Sequence, residues 1–389
     1  MDSIFAERMK SLGTETAFEV LAKARTLEKQ GKDIVHLEIG EPDFDTPKNI
    51  KDAAVKAMSA GYTHYVPSAG IPELRQAIAD YISKTRNLNV SPEEVVVTPG
   101  GKPIMFYTIL ALVNPGDEVL YPNPGFPTYE SLINFAGAKP VPIPLEEKND
   151  FSLDHEYFKK MITKKTKLII INSPENPTGG VLTREDLNVI ADGIANRDDV
   201  FVLSDEIYSR IIYGGKHESI TVFPGMKDKT ILLDGFSKTY AMTGWRLGFG
   251  VMRKDLVPKF AQLITNSNSC TSAFTQMAGV EALTGPQNEE ERMVAEFRKR
   301  REVIVNGLNK IKGITCKKPR GAFYVFPNTK GTGMNSRELG EYLMKNGVAV
   351  LPGTSFGKYG EGYLRLSFAN SLENIEKALD RIARALEKR

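Results

Sequence analysis

The chain of 389 residues is predicted to be an α/β protein: a three-layer sandwich with a mostly parallel, seven-stranded sheet, plus a smaller α+β domain. Seven short apolar runs alternate with helical segments, and this alternation is typical of parallel sheets that are covered by helices. Several runs are continuously apolar and β-branched, which suits strands that are buried on both faces. After about residue 285 the chain becomes strongly charged and the alternation stops, which indicates a second structural unit.

Each predicted element follows from its local sequence pattern. The N-terminal residues contain a predicted helix at 17–30 and a short strand at 33–40, which we expect to pack with the C-terminal unit. Helices are also predicted at 103–113 and 183–196. The run KPVPI contains two prolines, which cannot donate to a strand ladder, so we expect it near a sheet edge. The seven predicted strands of the sheet are 94–98, 117–121, 139–143, 167–172, 200–205, 230–235 and 247–251.

The C-terminal part of the chain is predicted to form the smaller domain. Residues 286–311 carry apolar residues at helical spacing among many charges, which predicts one long, largely exposed helix. Short strands and two further helices, at 336–346 and 372–388, follow it. We therefore expect a large cofactor-binding domain over 46–290 and a small domain that combines 1–45 with 291–389.

The composition argues against several classes of function. With 51 Lys and Arg against 48 Asp and Glu, the net charge is +3, too small to indicate a nucleic-acid or membrane partner. Cys270 and Cys316 form no C-x-x-C pattern and the four histidines lack metal-ligand spacing, so we expect no disulfide scaffold and no metal site. The chain has no apolar run of about 18 residues and its charged start lacks an apolar leader, so we expect a cytoplasmic protein.

Polar residues directly after the apolar runs are the candidate site, because ligands of doubly wound sheets bind beyond the strand C-termini. The loop PGGKP (99–103) offers glycines for close backbone approach and free N–H groups at a helix start, which suit a phosphate. An ordinary glycine-rich turn is the alternative. Asn176, in the loop SPENPTGG, is consistent with a ligand contact and equally with turn formation.

Charged residues at or near strand ends are the second group of candidates. Asp205 ends the run VFVLSD and either contacts a ligand or caps a helix, whose face Tyr208 would share. Lys238 follows TILLDG, where burial favours a neutral, nucleophilic amine, although most lysines reach solvent. Arg246 comes eight residues after it. Arg365, inside GYLRLSFA, needs an acceptor, which is either a structural ion pair or a substrate carboxylate.

Together these groups match pyridoxal 5′-phosphate better than any other cofactor. Its aldehyde needs a lysine, its ring nitrogen a carboxylate, and its phosphate N–H groups and cations. The sequence accordingly resembles the class I aminotransferases of the fold-type I pyridoxal-phosphate enzymes, in the branch with aspartate and aromatic aminotransferases. The matching strings are GEPDFDTP (40–47), YVPSAGIPELR (65–75), TPGGK (98–102), PNPGFPTY (122–129), NSPENPTGG (172–180), SDEIY (204–208), SKTYAMTGWRLG (237–248) and YLRLSFA (363–369).

The resemblance implies a role for each candidate around the cofactor ring. Lys238 would bind the cofactor covalently and later shuttle the substrate proton, while Asp205 would pair with the ring nitrogen. Tyr208 and Asn176 would hydrogen-bond the phenolic oxygen, and Phe126 would stack on the ring face.

The resemblance also implies how the phosphate is held. Relatives often carry a hydroxyl residue at the position of Gly235, and Ser237 is the expected substitute. Tyr65 would reach the phosphate of the partner subunit, which implies a homodimer. Within one chain the phosphate would contact Gly101, Lys102, chiefly through its backbone N–H, and Arg246.

The implied activity is amino-group transfer between an L-amino acid and a 2-oxo acid by a ping-pong mechanism. Arg365 would clamp the substrate α-carboxylate, with Gly40, Asn176 and Phe126 in the same pocket. Dicarboxylate-selective relatives usually add a second cation, and the sequence assigns none here. The expected side-chain pocket carries no fixed cation; it is formed by Phe106, Leu110, residues 16–18 and residues 265–274, the last as an expected contribution of the partner subunit. The hypothesis is therefore a broad-range enzyme that uses 2-oxoglutarate and favours aromatic or neutral donors; an aspartate-selective aminotransferase is the alternative.

Two other classes of relative share these motifs. Pyridoxal-phosphate-dependent lyases keep the same lysine, acid and arginine, so the motifs alone do not separate them from aminotransferases. Some relatives are regulators that carry a DNA-binding domain before the first motif. Because that motif begins at Gly40, we expect no such domain here.

Overall fold

The computed structural model describes residues 4–388, so residues 1–3 and 389 of the predicted small domain lie outside the described part of the chain. Every predicted helix is present, with bounds that shift by up to three residues. The helices are α1 (Thr16–Lys29), α2 (Lys48–Ser59), α3 (Pro72–Arg86), α4 (Lys102–Leu112), α5 (Thr128–Phe135), α6 (His155–Met161), α7 (Arg184–Gly193), α8 (Met226–Lys229), α9 (Phe236–Thr239), α10 (Val257–Ser267), α11 (Ala273–Thr284), α12 (Asn288–Leu308), α13 (Ser336–Lys345) and α14 (Leu372–Glu387).

The predicted seven-stranded sheet is confirmed, and each of its strands overlaps a predicted apolar run. The strands of the described chain are β1 (Val35–His36), β2 (Val95–Thr98), β3 (Glu118–Asn123), β4 (Lys139–Pro144), β5 (Thr166–Asn172), β6 (Phe201–Asp205), β7 (Thr230–Gly235), β8 (Gly248–Val251), β9 (Tyr324–Val325), β10 (Val348–Ala349), β11 (Leu351–Pro352) and β12 (Leu364–Ser367). The main sheet has the order β2-β8-β7-β6-β5-β3-β4, in which β8 runs antiparallel to both neighbours and the other pairs are parallel. The proline-containing β4 lies at the edge, as its sequence predicts.

Helices cover both faces of this sheet, which makes the three layers. Successive residues of a strand point to opposite faces. Accordingly Ile170 of β5 packs with α4, α5 and α10, whereas Ile169 and Ile171 pack with α7 on the other side. Leu232 of β7 belongs to that second side too, together with α2, α3 and α11. The continuous apolar runs therefore arise because both strand faces are buried.

The N-terminal segment packs with the C-terminal unit, as expected. β1 pairs in parallel with β10, and β9, β11 and β12 form a three-stranded antiparallel sheet. The strand predicted at 33–40 is shorter: β1 ends at His36, and Ile39, Gly40 and Glu41 line the cavity described below. The domain boundaries predicted at 45/46 and 290/291 stay a prediction; the second one falls within the first turn of α12.

The prediction that the long helix is largely exposed is wrong. Met293, Phe297, Ile304 and Leu308 of α12 are buried in a core that includes Phe323. Their spacing of about one or two helical turns forms an apolar stripe. Most charged residues lie on the remaining faces, but Glu290, Arg300 and Arg301 are buried as well. Within residues 4–388, no helix is long and apolar enough to cross a membrane, and no cluster of three or more potential metal ligands occurs.

Candidate active site

A cavity of about 950 Å³ lies beyond the C-terminal ends of β5, β6 and β7, and residues of both the main sheet and the C-terminal unit line it. Of the residues predicted to bind the cofactor or the substrate carboxylate, Tyr65 lies outside it; this residue is 88% exposed and lines a different surface pocket. The predicted residues that line the cavity are Gly40, Gly101, Lys102, Phe126, Asn176, Asp205, Tyr208, Ser237, Lys238, Arg246 and Arg365.

The sheet register aligns the residues at the strand ends. Asn172, the last residue of β5, is the register partner of Asp205, the last residue of β6. The Asn172 amide donates to the backbone oxygen of Asp205 at 3.0 Å and accepts from the Asn176 backbone N–H at 2.9 Å. One buried amide therefore ties the loop with Asn176 to the strand that ends in Asp205.

Asp205 is a buried acid whose oxygens are held by two donors. The Tyr129 hydroxyl donates to Oδ2 at 2.7 Å and the Ile207 backbone N–H donates to Oδ1 at 3.2 Å. Burial raises the pKa of Asp205 to about 6, and the hydrogen bonds limit this rise. The carboxylate is therefore mostly ionised at neutral pH. Residues 207–210 form turns and no helix follows Asp205 directly, so Asp205 does not cap a helix and Tyr208 does not share a helical face with it.

Lys238 lies in the four-residue helix α9, directly after β7. Its Nζ donates to the backbone oxygen of Gly40 at 2.6 Å. Burial lowers the pKa of Lys238 from its ordinary value to about 8, so the neutral amine is much more accessible near neutral pH than it is for an exposed lysine. This lysine therefore does not simply extend into solvent, and its environment suits a nucleophilic amine.

Tyr208 faces the cavity beside a second tyrosine. Its hydroxyl lies 2.7 Å from that of Tyr324, and burial raises the pKa of Tyr208 well above its usual range. The phenol therefore stays neutral and serves as a hydrogen-bonding group. A Cβ atom at Gly40 would collide with the Tyr324 hydroxyl, which explains why this position lacks a side chain. The sequence interpretation missed Tyr324, although it lies in the aromatic run 323–326.

Arg365 is buried and makes no ion pair with a carboxylate of residues 4–388. The alternative that this arginine forms a structural ion pair is therefore wrong. Its Nη1 donates to Oδ1 of Asn176 at 3.3 Å and its Nη2 donates to the backbone oxygen of Glu38. The guanidinium also packs on Tyr324 and Phe356, with 4.6 and 5.1 Å to the ring centroids. Nε is buried with no partner in the described chain. A donor left open in this way suits a carboxylate ligand.

The opposite end of the cavity suits an anion. Gly101 is the N-cap of α4, with Pro103 in the first turn, so free N–H groups point toward the cavity. Gly100 has φ of +89°, and a Cβ atom there would collide with the guanidinium of Arg246. Arg246 itself has φ of +53° and donates to the backbone oxygen of Thr243 at 2.9 Å.

The position of Gly235 explains why a hydroxyl residue is disfavoured there. A Cβ atom would lie 3.0 Å from the Cα of Gly248 on the neighbouring β8. Gly235 does not line the cavity, whereas the buried Ser237 does. That Ser237 contacts the phosphate in place of a hydroxyl residue at position 235 stays a prediction.

The side chain of Lys102 enters the cavity, whereas the sequence interpretation emphasised its backbone. Its ammonium lies 5.4 Å from the ring centroid of Phe126 and forms an ion pair with Glu15. α4 lines the cavity through Lys102 and Met105. The prediction that Phe106 and Leu110 of this helix line the substrate pocket is therefore wrong. Met105 and Phe106 lie on opposite sides of Lys102 around the helix axis, and the cavity lies on the Met105 side.

A buried ion-pair network holds the strand ends from behind. The guanidinium of Arg86 contacts Glu206 at 2.7 Å and Asp234 at 3.1 Å. Glu206 follows Asp205, and Asp234 lies four residues before Lys238. Burial alone would raise the pKa of Glu206, but the charges of His217 and Arg86 lower it to about 2. The sequence interpretation missed this network, whose local signal is the pair of acids that end buried strands.

These residues fit pyridoxal phosphate. Lys238 supplies an amine of lowered pKa, Asp205 an ionised acid for the ring nitrogen, and α4 with Arg246 an anion site. The open donor of Arg365 adds a place for a substrate carboxylate. The set therefore contains the groups that this cofactor and an amino acid need together.

Comparison with known proteins identifies the family. The family model for aminotransferase class I and II matches residues 32–382. This chain belongs to that family. An aspartate aminotransferase of Pyrococcus horikoshii is 43% identical over 98% of this chain and 97% of its own length, and an aromatic-amino-acid aminotransferase of Thermococcus litoralis is 41% identical over 92% of each.

The solved structures agree with the sequence comparison. The aspartate aminotransferase of Thermus thermophilus with maleate superposes with a TM-score of 0.93 at 38% identity, over 99% of this chain and all of the other. The aminotransferase described here is thus a pyridoxal-phosphate-dependent enzyme of the aspartate and aromatic type, which acts on amino and 2-oxo acids. The expected fold, family, enzyme class and cofactor are confirmed.

Proposed function

We propose that this aminotransferase transfers amino groups from a broad range of L-amino acids to 2-oxoglutarate, with aromatic or neutral donors at least matching aspartate. The supporting observation is the ion pair between Lys102 and Glu15 beside Phe126. A cation that is already neutralised, next to Phe126, Met105 and Phe18, leaves an apolar surface for neutral side chains. An acidic side chain would have to compete with Glu15.

The proposed roles follow from the cavity geometry. Pyridoxal phosphate, when bound, supplies an electron sink that accepts the charge left when the substrate Cα loses its proton. Arg365 binds the α-carboxylate and so orients that carbon. The Lys238 amine takes and returns the proton, since a pKa lowered toward the working pH suits a general base. Asp205 keeps the ring nitrogen protonated, and Tyr208 and Asn176 bind the ring oxygen.

A panel of amino donors with 2-oxoglutarate tests the substrate range. We expect phenylalanine, tyrosine and alanine to have kcat/KM values no lower than that of aspartate. Replacing Lys102 with methionine, which keeps the apolar stem, should lower kcat/KM for aspartate about tenfold and change that for phenylalanine by less than about twofold. Only amino donors with an acidic side chain lose a cationic partner in this variant.

The matched control is Glu15→Gln, which frees the Lys102 cation and should raise kcat/KM for aspartate relative to phenylalanine. An aspartate preference of about 100-fold in the unmodified enzyme, or about 2.7 kcal/mol of discrimination, would instead establish the aspartate-selective alternative.

A cytoplasmic homodimer is part of the proposal. Tyr65 shares a surface pocket with Cys270, Ser272 and Phe274, so the two segments expected to reach the partner subunit lie together. Large apolar side chains are also exposed nearby in sequence, including Val55 at 58%. A second copy of the chain would cover this surface and place Tyr65 at the other cavity.

We expect sedimentation to show a dimer and Tyr65→Phe to retain it. The variant should bind the cofactor about tenfold more weakly, because the phosphate loses one hydrogen bond from its partner subunit. Cofactor affinity is measured by dialysis and absorbance, with Tyr157→Phe, a half-exposed tyrosine of α6, as the control. An active monomer, or cofactor affinity equal in both variants, would contradict the assignment.

A further inference from the structure

A histidine on the wall of the cavity bridges two acids from different parts of the chain. Nδ1 of His36 lies 2.7 Å from Oε1 of Glu38, and Nε2 lies 3.0 Å from Oε1 of Glu28 in α1. His36 and Glu28 both line the cavity, and neither entered the roles described above. Because each ring nitrogen faces a carboxylate oxygen, the arrangement needs a doubly protonated imidazole, in which both nitrogens donate.

Glu38 connects this histidine to the substrate clamp. Its side chain is fully buried, and Oε2 has no hydrogen-bond partner in the described chain, so His36 provides the contact to its carboxylate. The backbone oxygen of the same residue accepts from Nη2 of Arg365. The negative charge of Glu38 also stabilises the guanidinium, since it opposes the effect of burial on the pKa of Arg365. A contact chain thus runs from α1 through His36 and Glu38 to Arg365.

We propose that His36 is a positioning residue for substrate binding: by bridging Glu28 and Glu38, it fixes the segment whose backbone oxygen holds Arg365. The inference rests on the proposed role of Arg365 as the α-carboxylate clamp. An arginine side chain has many rotamers, and its fork geometry is useful only when its other contacts are fixed. Loss of the bridge therefore releases Glu38 and lets the guanidinium leave the orientation that binds a carboxylate.

The surrounding charges set the pH range of this bridge. Hydrogen bonding to Glu38, followed by that to Glu28, raises the pKa of His36 to about 9 against the effect of burial. Charged groups of the N-terminal segment and the C-terminal unit that line the same cavity are Glu15, Arg25, Glu41 and Arg365. On the α14 side, Lys377 and Arg381 are paired with Asp33. Since the pKa is raised above its ordinary value of about 6.5, the bridge is intact below that value and is lost as the pH rises through 9.

The test is carboxylate binding to the holoenzyme, with 3-phenylpropionate as a probe that carries a carboxylate and no amine. In His36→Gln, the amide can donate to one acid but cannot bridge two. We expect its Kd for the probe, read from the cofactor absorbance, to rise about tenfold, and kcat at saturating amino acid to change less than about twofold. In the unmodified enzyme the Kd should also rise between pH 8 and 10, whereas this step should be absent from the variant.

His155 offers a matched control, because it too lies between two acids. Nε2 is 2.8 Å from Asp186 and Nδ1 is 3.7 Å from Glu185, its side chain is 29% exposed against 28% for His36, and it does not line the cavity. His155→Gln should leave the Kd and its pH profile unchanged. Glu28→Gln, which weakens one arm of the bridge, should give an intermediate Kd.

Two outcomes would overturn the inference: a Kd in His36→Gln equal to that in His155→Gln, or a parallel loss of kcat and cofactor that marks general disruption. Arg365→Lys separates this failure from that of the proposed function. If Arg365→Lys weakens binding of the probe by 100-fold or so and His36→Gln does not, only the role of His36 is wrong. If neither variant affects binding, the proposed role of Arg365 as the α-carboxylate clamp is wrong.

Discussion

Replacing Lys238 with alanine is expected to lower kcat on the order of 10⁴-fold or more, since the substitution removes both the covalent anchor and the proton-transferring base. The amine that is lost is the one with the lowered pKa, next to the backbone oxygen of Gly40. Reduction of the holoenzyme with borohydride, followed by peptide mapping, should place the phosphopyridoxyl group on Lys238. The variant is expected to retain some cofactor through the phosphate contacts.

Lys102 is the natural control for this experiment, because it is the other lysine that lines the cavity within the described chain. Lys102→Ala should keep covalent labelling and most of the turnover with a neutral amino acid. A label on Lys102, or wild-type turnover without Lys238, would exclude the assignment.

Replacing Asp205 with asparagine is expected to lower kcat by about 10²- to 10⁴-fold and to change KM much less. The amide keeps the size and the hydrogen bond from Tyr129 but cannot hold a proton on the ring nitrogen by charge. Stabilisation of the charge that develops after proton loss is therefore what disappears, and this appears in kcat. Single-turnover kinetics of the first half-reaction measure it directly.

Tyr129→Phe is the matched control, because it removes one hydrogen bond and leaves the carboxylate in place. We expect its kcat to fall about tenfold, well short of the loss in Asp205→Asn. If Asp205→Asn retained near-normal kcat, the acid would have no role in the electron sink.

The fold and the centre of the site were accessible from the sequence because both depend on local patterns. A parallel strand buried on both faces produces a run such as KLIIIN, whichever helices cover it. Strand C-termini meet at one edge of the sheet, so residues that follow such runs, such as Asp205 and Lys238, converge even though their exact partners are unknown.

The contacts that complete the site were not accessible in this way, because they join segments that are distant in the chain. Glu38 and Arg365 are 327 positions apart, and Tyr208 and Tyr324 are 116 apart. No spacing rule relates such pairs. The side chain of Lys102 was misjudged for the same reason, since Glu15, which holds it at the cavity, lies 87 positions away.

The close contact between Gly100 and the guanidinium of Arg246, which leaves no room for a side chain at position 100, affects the entropy of phosphate binding. Both residues adopt left-handed backbone conformations. The Gly100 N–H donates to the backbone oxygen of Thr98 and the Arg246 guanidinium to that of Thr243, so both are held by contacts within the fold. Fixing the backbone of one residue costs about 1–2 kcal/mol in conformational entropy. Here that loss is incurred when the chain folds, so the phosphate meets a rigid cradle and little of its attraction is spent on immobilising the loop.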